Sequence, residues 1–180
     1  MPGGMTVDAF SIDSAVPDDL SALHALVESA YRGESAKAGW THEADLLHDD
    51  RIDRATLAAT LADPDVRLLV ARAGHDLVGC AQVMRKSPSH AYFGLFAVDP
   101  QRQAAGLGKR ILAAAEREAR EVFGAAVMEM TVIDLRTELI AYYQRRGYRM
   151  TGERRPFPVE IDPPLSFVVL EKRLEVVQAG

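Results

Sequence analysis

Apolar positions along this chain switch between a period near two and a period near 3.6, and the switches mark out its elements. Val7 to Ile12 reads as a first strand. Val16-Pro17-Asp18-Asp19 then opens a helix, with proline in the first turn, acids toward the dipole, and Leu20, Leu23, Leu26/Val27 and Ala30 as its stripe. Arg54 to Asp63 is a short helix stopped by Pro64. Val66 to Ala71 and Leu77 to Met84 flank the turn Gly74-His75-Asp76 and predict an antiparallel hairpin. A further strand runs from Ala91 to Val98 and ends at Asp99-Pro100.

From Gly108 to Phe123 the pattern is helical, with Leu107, Ile111, Ala115, Ala119 and Val122 on one stripe and Leu112 beside it; Gly124 is the stop. Ala126 to Ile133 is a fifth strand, Thr137 to Arg146 a helix, and Tyr148-Arg149-Met150 the start of a sixth strand. The proline-bearing Glu153 to Pro164 reads as a loop. Leu165 to Leu174 is a last strand, with Phe167, Val169 and Glu171 on one face. The sum is an α/β chain: a mixed sheet of about seven strands with about four helices.

Tyr31 to Asp53 breaks the pattern. It holds the single Trp and two glycines, its periodicity is weak, and long irregular segments often act as lids or binding loops. Arg32, Trp40, Glu43 and Arg51 are candidate acceptor contacts; the alternative is a solvated loop with Trp40 as a packing plug.

The stretch of chemical interest is the turn between the fourth strand and the long helix. The first N–H groups of a helix lack intrahelical partners and carry partial positive charge. Gly106 and Gly108 have no Cβ, so a phosphate can approach the backbone, and Lys109 and Arg110 add charge. An ordinary strand-to-helix turn with two glycines is the plainer alternative.

Gln103-Ala104-Ala105-Gly106-Leu107-Gly108 matches the Gln/Arg-x-x-Gly-x-Gly/Ala signature of the GNAT superfamily of acyl-CoA-dependent N-acyltransferases. Leu95 to Pro100 resembles that family's fourth strand and its exit. Tyr143-Gln144-Arg145-Arg146-Gly147-Tyr148 resembles its Tyr-x-x-x-Gly-Phe/Tyr segment. Element by element the resemblance runs from about Val7 to Leu174. It implies the GNAT-type fold, with fourth and fifth strands parallel but splayed, and acetyl-CoA as co-substrate in the gap. It also implies backbone contacts to pantetheine and acetyl group at Phe96, Ala97 and Val98, with the Val98 amide facing the thioester oxygen. The pyrophosphate would lie on the N–H groups of Ala104 to Lys109. Tyr143 stands where the family commonly has a general acid; a tyrosine merely packed on the sheet is the alternative. Two positions depart from the pattern: Ala104 replaces a polar or basic residue, and Arg136 stands where many members have asparagine and is itself a candidate for the CoA phosphates.

The general base is open. Alternation puts Glu129, Thr131 and Ile133 on one face of the fifth strand, and His90, Tyr92, Gly94, Phe96 and Val98 on one face of the fourth. Glu129, Tyr92 and His90 are therefore candidates, directly or through water, each with a structural role as its alternative. Arg154 to Pro158 is a candidate lining for the acceptor site, a homodimer interface, or a solvated loop.

Composition narrows the class. One domain is the natural expectation for 180 residues, with Met1 to Met5 as a flexible tail. The single cysteine, Cys80, excludes an intramolecular disulfide and suits a reducing cytoplasm; a small core residue is its expected role. The opening residues lack a signal-peptide pattern and no apolar run approaches membrane-spanning length, so no membrane role is expected. A net charge of −5 argues against nucleic acid as main partner. The sequence thus points to an N-acetyltransferase acting on a small-molecule or amino-acid-like amine. A non-catalytic acyl-CoA-binding module and a protein or peptide N-acetyltransferase are the alternatives.

Overall fold

The computed structural model describes residues 10–38, 53–99, 106–156 and 164–174, with the backbone alone over 31–38. The predicted N-terminal tail, Trp40, Glu43, Arg51, and Gln103 to Ala105 lie outside the described residues.

Among the described residues, seven strands form one mixed sheet in the order β1-β2-β3-β4-β5-β7-β6. They are β1 (Ser11–Ser14), β2 (Val66–Ala73), β3 (Asp76–Arg85), β4 (His90–Val98), β5 (Val127–Ile133), β6 (Arg149–Pro156) and β7 (Ser166–Arg173). A short 3-10 turn, Pro17–Asp19, leads into helix α1 (Leu20–Ala38); α2 is Arg54–Ala62, α3 Leu107–Glu121 and α4 Thr137–Gln144. All neighbouring strands are antiparallel except β4 and β5, which run parallel.

Each face of the sheet has its own core. Leu107, Ile111, Leu112, Ala115 and Ala119 of α3 pack with Ile140 and Tyr143 of α4 on one face. On the other, Leu23, Val27 and Ala30 of α1 meet Leu57 of α2 over Leu68, Val70 and Cys80. Asp19 ties the entry of α1 to the sheet: Arg72 of β2 donates to its two oxygens at 2.8 and 2.6 Å, and the Val16 amide donates at 2.8 Å. That guanidinium holds the Asp19 carboxyl below its ordinary value, against the opposing effect of burial.

Five boundaries or faces differ from the sequence reading. The first strand is Ser11–Ser14, starting after Phe10 and running two residues past the expected end at Ile12, because its pairing with β2 continues from Ser11↔Arg72 to Ser14↔Leu69; Val7 to Ala9 lie outside the described residues. Helix α1 continues through Ala38, into the segment read as irregular. Glu34, Ala36, Lys37 and Ala38 are adequate helix formers, and Gly33 costs only about 1 kcal/mol. On α3, Val122 is 46% exposed and Phe123 is buried instead, because the helix ends at Glu121 and the chain turns there.

Strand β6 runs to Pro156 through residues read as a loop. It is an edge strand, where a proline needs no ladder donor, and Gly152 (φ 90°) sits in an irregularity between Met150 and Arg154 that resets its register with β7. The fifth difference, on β4, creates the site.

Candidate active site

Strands β4 and β5 pair at three positions only: His90↔Val127, Ala91↔Met128 and Tyr92↔Glu129. Both strands then run on, to Val98 and Ile133, without further pairing to each other. The parting has a local cause. The β3–β4 register shifts between Cys80↔Ala97 and Gln82↔Gly94, so Leu95 and Phe96 together face Ala81. Leu95 adopts φ 49°, the left-handed region, which costs a non-glycine residue about 1–2 kcal/mol. This bulge bends β4 and reverses its alternation. Phe96 and Val98 join Ala91 and Phe93 on the α3 face, while Leu95 and Ala97 turn to the α1 face. Phe96 and Val98 therefore do not share a face with His90, Tyr92 and Gly94, as uninterrupted alternation implied.

The fork opens a cavity of about 850 Å³ that passes through the sheet. On the α3 side it is bounded by Gly106, Gly108, Lys109, Tyr142 and Tyr143; on the other, by Ala30, Leu57, Thr60, Gln82 and Met84. Phe96, Ala97 and Val98 form its wall along β4. Gly106 caps α3 with φ 73°. A Cβ on Gly108 would lie 3.1 Å from Phe96 Cζ and 3.3 Å from Tyr142 Oη, so the backbone there is approachable only because the residue is glycine. Lys109, Arg136, Arg145 and Arg146 also line the cavity. Arg146 lies over the Tyr142 ring at 3.6 Å and donates to the Tyr142 carbonyl at 2.8 Å. Arg136 Nε donates to Glu138 at 2.7 Å. A helix N-terminus with bare glycines and cations at its mouth suits a diphosphate, and a slot between unpaired strands suits an extended amide-bearing arm.

Tyr143 is 4% exposed and lines the cavity. Its ring meets Phe93, Tyr142 and Tyr148 edge-on, with centroids 6.4, 5.4 and 6.0 Å away. Tyr148 is not available for chemistry. Its hydroxyl donates to Glu116 at 2.8 Å, and burial pushes its pKa far up.

Glu129 is 2% exposed. Lys86 Nζ donates to both its oxygens at 2.7 Å, and the two terminal nitrogens of Arg155 donate at 3.3 and 3.1 Å. An ionised carboxylate accepts about four hydrogen bonds, so this one is filled. Burial pushes its pKa up, but the Arg155 and Lys86 hydrogen bonds overcome it and hold the carboxyl below its ordinary value. These three residues sit in a smaller pocket of about 340 Å³ that shares Met84, Tyr92, Thr131 and Phe167 with the large cavity. Tyr92 Oη is 2.6 Å from Thr131 Oγ1. His90 pairs with Ser89 at 2.7 Å and approaches Glu171 at 3.8 Å, away from the lining of either cavity.

Arg32 lies within α1. Lys86, Thr131 and Tyr142 line the site without being evident as site residues from sequence. Lys86 carries no local signal, whereas Arg155 lay within the arginine-proline run already noted. No group of three or more His, Cys, Asp or Glu suited to a metal occurs among the described residues. No helix among them is long and apolar enough to cross a membrane.

The acetyltransferase (GNAT) domain family matches residues 29–157. The IAA acetyltransferase of Azospirillum brasilense is 33% identical over 116 residues, covering 64% of this chain and 72% of that protein. The fold is similar to that of the PaiA N-acetyltransferase of Thermoplasma acidophilum, solved with coenzyme A: TM-score 0.74, 16% identity, 91% of this chain and 98% of that one. It is also similar to the Escherichia coli ribosomal-protein-S18-alanine N-acetyltransferase: TM-score 0.72, 16% identity, 95% and 97% coverage.

Proposed function

This chain belongs to the acetyltransferase (GNAT) family, and from that premise we propose that it moves an acetyl group from acetyl-CoA to the primary amine of a small-molecule or amino-acid-like acceptor. The amine attacks the thioester directly in a ternary complex. The observation that carries the reading is the fork: pairing of β4 with β5 stops at Tyr92↔Glu129 while both strands continue, beside a helix N-terminus with bare glycines. That the Thermoplasma neighbour was solved with coenzyme A supports acetyl-CoA as the donor, and the IAA acetyltransferase relative supports a small-molecule acceptor. A cytoplasmic setting suits an enzyme drawing on acetyl-CoA.

In this reading the N–H groups at Gly106 to Lys109 hold the diphosphate, with Gln103, Ala104 and Ala105 leading into them. Lys109 and Arg136 stand beside it, and the unpaired edge of β4 at Phe96 to Val98 binds the pantetheine arm. The Val98 amide stabilises charge growing on the thioester oxygen. An acceptor amine of ordinary pKa must first lose a proton, costing about 4–5 kcal/mol at pH 7, and alignment within the fork offsets several kcal/mol of the barrier. Glu129 is filled by Lys86 and Arg155, so its part is to fix those two cations. Tyr143 protonates the departing thiolate.

Release of free thiol from acetyl-CoA across a panel of amines, amino acids and peptides tests the assignment. Tyr143→Phe is expected to lower kcat by about 100-fold or more while CoA still binds. Full turnover by that variant overturns the general-acid role, and no thiol release with any amine overturns the transferase reading.

A further inference from the structure

The smaller pocket beside the fork has a particular electrostatic construction. Its carboxylate is hidden: the Glu129 side chain is 3% exposed, whereas Lys86 and Arg155 keep 39% and 31% of theirs open. Glu129 has no acceptor capacity left, but its partners have donors to spare. Lys86 Nζ carries three N–H groups and directs two contacts at Glu129. Each terminal nitrogen of Arg155 directs one contact at Glu129 and carries a second N–H, for which no partner is found among the described residues. What the pocket offers a visitor is therefore cationic, and these three are the charged groups lining it. Glu153, which takes Arg155 Nε at 2.8 Å, lies outside the lining and is more than half exposed, where water and salt weaken its effect. Met84, Pro156 and Phe167 supply apolar walls.

Resting on the transferase reading above, we propose that the acceptor is an amino carboxylate with an apolar body. Its carboxylate docks on Lys86 and Arg155, and its amine reaches the fork past Tyr92 and Thr131, which border both cavities. A remaining Arg155 N–H and the Lys86 ammonium can each donate singly to a carboxylate oxygen, and the guanidinium here is already oriented by a buried carboxylate. Lys86 and Arg155 thus determine specificity, and Glu129 is a positioning residue. The rival role for the trio is a plain staple joining the β3–β4 turn, β5 and β6. A staple makes no distinction between an acid and its amide.

The test compares each amino acid with its own carboxamide, phenylalanine with phenylalaninamide and methionine with methioninamide, by thiol release from acetyl-CoA. The amide's amine is the less basic of each pair, which by itself favours the amide at neutral pH. A preference for the acid therefore reports the carboxylate contact. The expected result is a kcat/KM at least about tenfold higher for the acid, equivalent to about 1.4 kcal/mol. Arg155→Gln and Lys86→Met are each expected to move that ratio toward one, chiefly through the KM of the acid. Equal or better use of the amides by the unaltered protein overturns this inference and leaves the transferase reading standing, as does a ratio that neither substitution moves. Absence of thiol release with every amine overturns both. The comparison within the unaltered protein holds even if a variant fails to fold.

Discussion

The Tyr92 hydroxyl lies 2.6 Å from that of Thr131, closing with side chains a seam that the backbone has just opened. Tyr92 is in the last paired step of the β4–β5 ladder, opposite Glu129, and Thr131 lies two residues further along β5. The bond therefore spans the fork at its root. Tyr92→Phe and Thr131→Val should each lower unfolding free energy by about 1 kcal/mol in urea titrations. The double variant should lose about as much as either alone, because both remove the same bond. Full additivity would mean that the hydroxyls act separately.

Gly108 should be intolerant of a side chain for reasons of both local packing and binding. A Cβ there meets Phe96 Cζ at 3.1 Å and Tyr142 Oη at 3.3 Å, and the residue itself lines the cavity at the start of α3. Gly108→Val is expected to weaken CoA binding by about tenfold or more in calorimetry, about 1.4 kcal/mol per factor of ten. Undiminished affinity would place the diphosphate elsewhere.

Acid stability should depend on Glu129. Its carboxyl titrates below the ordinary 4.5 in the folded protein, since the Arg155 and Lys86 contacts outweigh the upward push of burial. Its contribution is thus present above about pH 4.5 and is lost as pH falls through the folded value. Glu129→Gln leaves two cations facing a neutral amide and should cost about 2–3 kcal/mol at pH 7, less than for a fully buried pair because both cations touch water. The difference from the unaltered protein should shrink when urea titrations are repeated below pH 4. A constant difference would show that packing, not charge, sets the cost.

Periodicity made most of the scaffold readable, and what it missed follows from contacts distant in sequence. The α3 stripe from Leu107 to Ala119 and the shared face of Glu129, Thr131 and Ile133 follow from repeats of 3.6 and two. The bulge at Leu95 was not readable, because leucine gives no sign of a left-handed backbone, yet it decides where Phe96 and Val98 point. The end of β6 was hidden by Pro156, which only an edge position makes tolerable. The cationic pocket was hidden most completely. Lys86 and Arg155 lie 43 and 26 residues from Glu129, on different elements, and only the sheet order brings them together.

Cys80 offers a probe of the bulge itself. The thiol is fully buried, and its Sγ–H donates to the Leu95 carbonyl at 3.3 Å, holding the residue whose backbone turns left-handed. Burial pushes its pKa up from 9.0 to about 12. For a group raised in this way, stability is present below the unfolded value and is lost as pH rises from about 9 toward 12. At pH 8 the folded protein should therefore react with a thiol-specific disulfide reagent only as fast as it opens, whereas urea-unfolded protein should release one equivalent at the rate of a free cysteine. Labelling of the folded chain at that free rate would mean that β4 detaches from β3 at Leu95 without global unfolding, and that the fork is a mobile feature rather than one built in by packing.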